Sequence, residues 1–164
     1  MKFSQYQYLK QHLFAAGENG SLVSRYEASE APEQLHPLVL AYVGDACYHL
    51  YVRTRLLHFD RSHVHLLNDF SMQIVSAVWQ ARAYEAICGG FTEKEQQIFK
   101  RAKNAKSHAP RAASVHDYHL STGFEAVLGY LHLSGDTQRM NEICEQAFQA
   151  AAKAIQQMQD QQNK

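Results

Sequence analysis

The chain has 164 residues, a length that favours one domain with a substantial core. Hydrophobic residues make up 46% and charged residues 20%, the balance of a folded globular protein and not of a disordered one. Lys plus Arg total 16 and Asp plus Glu total 16, so the formal net charge is zero; overall charge does not mark a nucleic-acid binder, and only local charge can.

Three prolines and eight glycines are few for this length, and with long stretches of helical spacing they predict an all-α domain. Residues from about Ser4 to Ala16 read as a short amphipathic helix stopped by Gly17. The segment from Glu18 to Glu33 is polar and loop-like. An apolar helix starts near His36, with Pro37 in its first turn, and runs to about Leu57. Asp60 or Ser62 is expected to cap the next helical stretch, which continues with interruptions to Ile87 and ends at Gly89-Gly90. Thr92 and Glu95 form a capping box for a helix reaching about Lys103. Asn104 to His116 reads as a basic loop, Asp117 or a neighbour starts a second apolar helix ending at Gly135, and Asp136 caps a last helix. That helix is expected to fade after Ile155 into a Gln-rich tail, so the organisation is an N-terminal extension over 1–34, a central domain over 35–155 and a polar tail over 156–164.

Cys47, Cys88 and Cys144 are odd in number and widely spaced, with neither a CxxC motif nor a disulfide framework. They read as reduced cysteines of a cytoplasmic protein, with Cys47 packed in the core. The N-terminus lacks the apolar stretch of a signal peptide, and no uninterrupted 18-residue apolar run exists, so no membrane partner is expected.

Two apolar segments each carry one formal charge. LHPLVLAYVGDACYHLYV, Leu35 to Val52, holds only Asp45; YHLSTGFEAVLGYLHLSG, Tyr118 to Gly135, holds only Glu125. An ionised carboxylate in such a helix is unfavourable unless a cation meets it. No Lys or Arg lies within seven positions of either acid. The partner is therefore a distant arginine, such as Arg53 or Arg82, or a metal ion. Each acid alone is more simply read as an internal pair. Two lone acids, each beside a small residue (Gly44 and Gly123), raise the odds of one shared site for a hard cation such as Mg²⁺.

From Gln96 to His116 there is no acid, while Lys100, Arg101, Lys103, Lys106 and Arg111 are all basic. Charge runs are most often solvated faces. This one leads into the helix that carries Glu125, which suits a phosphodiester held by its flanking phosphates, with Asn104 available to a base edge, sugar or phosphate. The pairs His63-x-His65 and His116-x-x-His119 lack a third ligand at zinc-like spacing. Tyr42, Tyr48 and Tyr51 suit core or dimer packing better than base stacking. No Gly-rich phosphate loop and no nucleophilic triad is evident.

The segment LVLAYVGDACYHLYVRTRLL strongly resembles the signature helix of the ribonuclease III catalytic domain, and STGFEAVLGYLHL resembles its second acidic motif. RAKNAKS and VSAVWQARA are similar to further blocks of the Mini-ribonuclease III branch, which lacks a double-stranded-RNA-binding domain. The likeness covers about Leu35 to Leu133, and the 31 residues after Leu133 leave no room for such a domain.

The resemblance implies a ribonuclease III endonuclease-domain-like helical bundle in which Asp45 and Glu125 ligate Mg²⁺, with Mn²⁺ as a substitute. It implies hydrolysis of double-stranded RNA to 5′-phosphate and 3′-hydroxyl ends by a homodimer with signature helices at the interface. Lys100, Arg101, Lys103, Asn104, Lys106 and Arg111 would supply much of the RNA grip. The usual task of the branch is maturation of precursor large-subunit ribosomal RNA, with ribosomal-protein assistance an open question. Larger members carry two more acids where this chain has Ala41 and Thr122; Mini-ribonuclease III departs there too, which implies a sparser metal shell. His49 stands where an acid is common in the signature helix, and Asn68-Asp69-Phe70 lacks the basic character usual before VSA. The rival reading is a non-catalytic RNA- or ribosome-binding module on the same fold; a helical interaction protein whose acids pair internally is weaker.

Overall fold

Pro37 opens the apolar helix where its missing N–H leaves no bond unmade, and the His36 ring nitrogen Nδ1 accepts the backbone N–H of Leu38. This is the second of seven α-helices in the computed structural model, which describes residues 3–12, 31–106 and 114–162. They are α1 (Phe3–His12), α2 (Pro37–Leu56), α3 (Val64–Ile74), α4 (Ala77–Ile87), α5 (Glu93–Lys103), α6 (Val115–Leu133) and α7 (Thr137–Gln162). No strand occurs among the described residues, and the expected all-α class holds. The chain divides into two units, Met1–Ala31 and Pro32–Lys164. Of the first, α1 is described; the expected end at Ala16 and stop at Gly17 lie outside the described residues, as does most of the 18–33 loop.

The second unit is built around α6. Phe124, Ala126, Val127 and Leu128 are fully buried on it, and α2, α4, α5 and α7 all pack against it. Two glycines bring α2 and α6 into backbone contact. A Cβ built on Gly44 would lie 1.7 Å from the carbonyl oxygen of Glu125, and one on Gly129 would lie 1.9 Å from that of Leu40. One turn along, Tyr48 of α2 meets Phe124 of α6 edge to face, with ring centroids 5.2 Å apart. On the other side Gly123 admits the ring of Phe99 from α5, which is stacked on Tyr84 of α4 at 3.8 Å.

The helix ends follow local chemistry. Thr92 and Glu95 make the full capping box predicted for α5. Glu95 is buried, and Arg139 of α7 reaches it through Nε at 2.8 Å and Nη2 at 3.0 Å. Burial works against ionisation of Glu95, but the Arg139 and Thr92 hydrogen bonds outweigh it and hold its carboxyl below the usual range. Gly135, at φ +76°, turns the chain between α6 and α7, and Asp136 accepts the Arg139 N–H as expected of a cap.

The interruption expected in the stretch to Ile87 falls at Val75-Ser76, which divides it into two helices. Other boundaries differ from the sequence expectation. Asp60 accepts the N–H groups of Ser62 and His63 instead of capping α3 directly, and these bonds hold its carboxyl well below the usual range. The cap of α6 is Ser114, which accepts from Asp117 N–H, so Val115 and His116 are helical and not loop. The last helix continues past Ile155 to Gln162, because Met140, Ile143, Cys144, Ala147, Phe148 and Ala151 form one buried stripe that anchors its N-terminal two-thirds.

Candidate active site

Asp45 follows Gly44 on α2, and Glu125 supplies the very carbonyl that Gly44 touches on α6. The close approach of the two backbones therefore fixes the two acids as neighbours across the helix pair. Asp45 is half exposed, with its side chain at 50% of full accessibility, and Oδ1 lies 3.3 Å from Nε2 of His49 one turn along α2. Glu125 is more enclosed. Burial, and secondarily the negative charge of Asp45, push its carboxyl up to about 8, while a hydrogen bond from the Gln80 amide pulls the other way. A cation held between the two acids would favour the ionised carboxylate and release that proton to solvent.

No lysine or arginine pairs with either acid among the described residues, which disposes of the two internal partners considered from sequence. Arg82 lies over the Trp79 ring at 4.8 Å, and Arg53 is exposed and engages neither acid. Ala41 and Thr122 are both buried; the Thr122 hydroxyl donates to the carbonyl of Tyr118 at 2.8 Å. Among the described residues no three His, Cys, Asp or Glu side chains gather. Asp45 and Glu125 are the two carboxylates that could hold a cation here, and a pair of this kind would suit a hard ion such as Mg²⁺, which keeps several of its own waters.

The basic residues separate into two groups. Lys100 and Lys103 line a groove with Tyr84, Cys88, Gly89, Gln96 and Phe99. No ion pair holds either of them, or Lys106, among the described residues. Arg101 points the other way, and its guanidinium donates to the carbonyls of Glu33 and Leu35. That tie fastens α5 to the short turn Pro32–Gln34 and leaves Arg101 less free for a ligand. Asn104 ends α5 and is exposed, as is Lys106. Arg111 lies outside the described residues. The Phe99 ring of this groove rests on Gly123 of α6, so α5 and α6 hold the groove and Glu125 on one packed pair of helices.

Two neighbours of the acids escaped the sequence reading. Gln80 is buried beside Glu125, and nothing in VSAVWQARA separates a functional amide from a packing one. His49 was visible only as a departure from an acidic position, not as the partner of Asp45. Of the histidine pairs singled out from sequence, His63 bonds Asp60 at 2.8 Å and His116 approaches Glu85 at 3.9 Å.

The family profile described as "Ribonuclease III domain" matches residues 38–136, which include both acids and the basic segment. The chain belongs to the ribonuclease III family. Among its relatives, a Mini-ribonuclease 3 of Symbiobacterium thermophilum is 42% identical over 76% of this chain and 93% of its own length. A Mini-ribonuclease 3 of Thermoanaerobacter sp. is 38% identical over 80% of this chain and 91% of its own. A protein of Fusobacterium nucleatum solved by crystallography superposes with a TM-score of 0.64 at 31% identity, covering 71% of this chain and 94% of that one. Membership of the ribonuclease III family makes the chain a nuclease acting on RNA. No helix among the described residues is long and apolar enough to cross a membrane.

Proposed function

We propose that this protein is a Mg²⁺-dependent endoribonuclease that cuts double-stranded RNA, with its catalytic domain over residues 35–155 and Asp45 and Glu125 as metal ligands. The observation that carries the reading is the pair of neighbouring acids from α2 and α6, without a lysine or arginine partner among the described residues, one of which holds its proton up to about 8. A pure binding module has no use for such an arrangement, which is unfavourable without a cation. Bound Mg²⁺, or Mn²⁺ in its place, would acidify a water and neutralise the charge that develops on phosphorus. Asp45 and Glu125 would hold the ion in place, and the products would carry 5′-phosphate and 3′-hydroxyl ends.

The substrate is read by shape. A-form RNA hides its base edges in a deep groove and offers phosphates and 2′-hydroxyls instead. Lys100, Lys103 and Lys106 are free to meet those phosphates, with Asn104 at the same helix end. Arg101 contributes mainly through its hold on the turn below, and Arg111 extends the basic run.

The outer face of α2 supports a homodimer. Val39, Tyr42, Ala46, Leu50, Arg53 and Leu57 form one exposed stripe at helical spacing, and Tyr42 is 80% and Leu50 68% exposed. A stripe of that character favours a second copy over water. Each protomer then brings one pair of acids, and the two pairs cut opposite strands. The natural RNA proposed is precursor large-subunit ribosomal RNA in the cytoplasm, with a ribosomal protein as a candidate assistant.

The test is incubation of the purified protein with a long RNA duplex, with and without Mg²⁺, followed by analysis of fragment ends. Mg²⁺-dependent fragments with 5′-phosphates, lost in Asp45→Asn while duplex binding persists, support the proposal. Wild type that binds duplex but leaves it uncut transfers the case to the non-catalytic module.

A further inference from the structure

Gln80 is 1% exposed, and its side chain bends back so that Nε2 donates to the carbonyl of Val75 at 2.9 Å. That bond satisfies a backbone oxygen at the break between α3 and α4 and fixes the plane of the amide. The other half of the amide is unsatisfied: Oε1 is buried and has no hydrogen-bond partner. A polar oxygen held away from water without a donor is unfavourable and calls for a reason. Position supplies one. The amide stands close enough to Glu125 to favour its ionised form by hydrogen bonding. Nε2 carries two hydrogens, one taken by Val75 and one left for the carboxylate. Oε1 is bonded to the same carbon as Nε2, so the unpartnered acceptor lies in the neighbourhood of that carboxyl.

A cation held by only two protein carboxylates keeps several waters, and each bound water is a strong donor that needs an acceptor. We propose that Gln80 is a positioning residue of the cation site, its N–H steering the Glu125 carboxylate and its Oε1 accepting a hydrogen from a cation-bound water. The assignment rests on the two-carboxylate reading above. An amide fits this place because it donates on one side and accepts on the other. It does so without adding a third negative charge beside Asp45 and Glu125.

The experiment uses the full chain and Mn²⁺ alone as probe, measured by calorimetry and by the electron paramagnetic resonance of the bound ion, with no RNA present. Gln80→Leu and Gln80→Glu both lose the bond to Val75, so both lose a similar part of the thermal stability. Only Gln80→Glu keeps an acceptor at the Oε1 position. Gln80→Leu is expected to weaken Mn²⁺ binding by about 10- to 100-fold, the range for lost outer-shell partners. Gln80→Glu is expected to bind at least as tightly as wild type. Folded Gln80→Leu with wild-type affinity, or folded Gln80→Glu with weakened affinity, overturns the role. Should Gln80→Leu fail to fold, the Gln80→Glu titration decides alone. Asp45→Asn and Glu125→Gln are titrated alongside. If these two lose Mn²⁺ and Gln80→Leu does not, only the role of Gln80 falls. If all bind as wild type does, the two-carboxylate site falls and the role of Gln80 with it.

Discussion

Replacing Gly44 with alanine is the sharpest test of how the helix pair builds the acid pair. The added Cβ would sit 1.7 Å from the carbonyl oxygen of Glu125, against about 3.4 Å for an ordinary contact. The neighbour is backbone, which no rotamer change can move aside, so α2 and α6 must separate locally by roughly the missing 1.7 Å. Overpacking of this kind costs about 3 kcal/mol, at the upper end of its usual range. For a chain of this size each kcal/mol lowers the unfolding midpoint by about 2–4 °C, so Gly44→Ala should melt roughly 6–12 °C below wild type. Asp45 and Glu125 move apart with the helices, and Mn²⁺ affinity should fall in whatever fraction remains folded. Calorimetric unfolding and a Mn²⁺ titration read both effects. Gly89→Ala is the control, since nothing lies within 4 Å of a Cβ there, and it should change neither. A Gly44→Ala protein that melts within a degree of wild type and binds Mn²⁺ equally would refute the close-contact argument.

Glu125 keeps its proton up to about 8 in the folded protein, against about 4.3 unfolded, so metal-free stability should fall as pH rises between those values. Glu125→Gln removes the effect; unfolding in EDTA should show it gaining on wild type from pH 5 to pH 8, and a gap that stays constant would count against the buried-acid reading. Glu145 behaves oppositely. Hydrogen bonds from Arg55, then from Tyr51, hold it down at about 2, so its contribution is present above about pH 4.3 and lost as pH falls toward 2. Acid unfolding should therefore be less steep in Glu145→Gln than in wild type, and identical acid limbs would show that this cluster adds nothing. Lys103→Ala with Lys106→Ala should weaken duplex binding and lower the salt slope by about 2 if both meet phosphates. An unchanged slope in a filter-binding titration would remove that end of α5 from the RNA contact.

What the sequence made legible was whatever depends on residues close along the chain. Pro37 after His36 marked the start of α2, and Thr92 with Glu95 marked that of α5, because caps are local chemistry. The lone carboxylates at Asp45 and Glu125 stood out because their helices are otherwise apolar, and the glycine beside Asp45 proved to be the point where the two helices touch. Contacts made at long range were invisible. Arg101 reads as one more cation in a basic run, yet its partners are carbonyls some seventy positions earlier. Gln80 reads as a polar residue on an ordinary helix until the fold buries it beside Glu125. The length of α7 was underestimated because the Gln-rich stretch has no apolar pattern to read, whereas glutamine is a good helix former and extends the helix that the packed stripe ahead of it nucleates. The Val75-Ser76 break likewise has no strong local marker, lacking both glycine and proline.

Anomalous diffraction from crystals soaked in Mn²⁺ bears most directly on the whole account. One peak within coordination distance of both the Asp45 and Glu125 carboxylates, absent from Asp45→Asn crystals, is the predicted result. Density for the ion elsewhere, with those carboxylates turned to protein partners of their own, would contradict it.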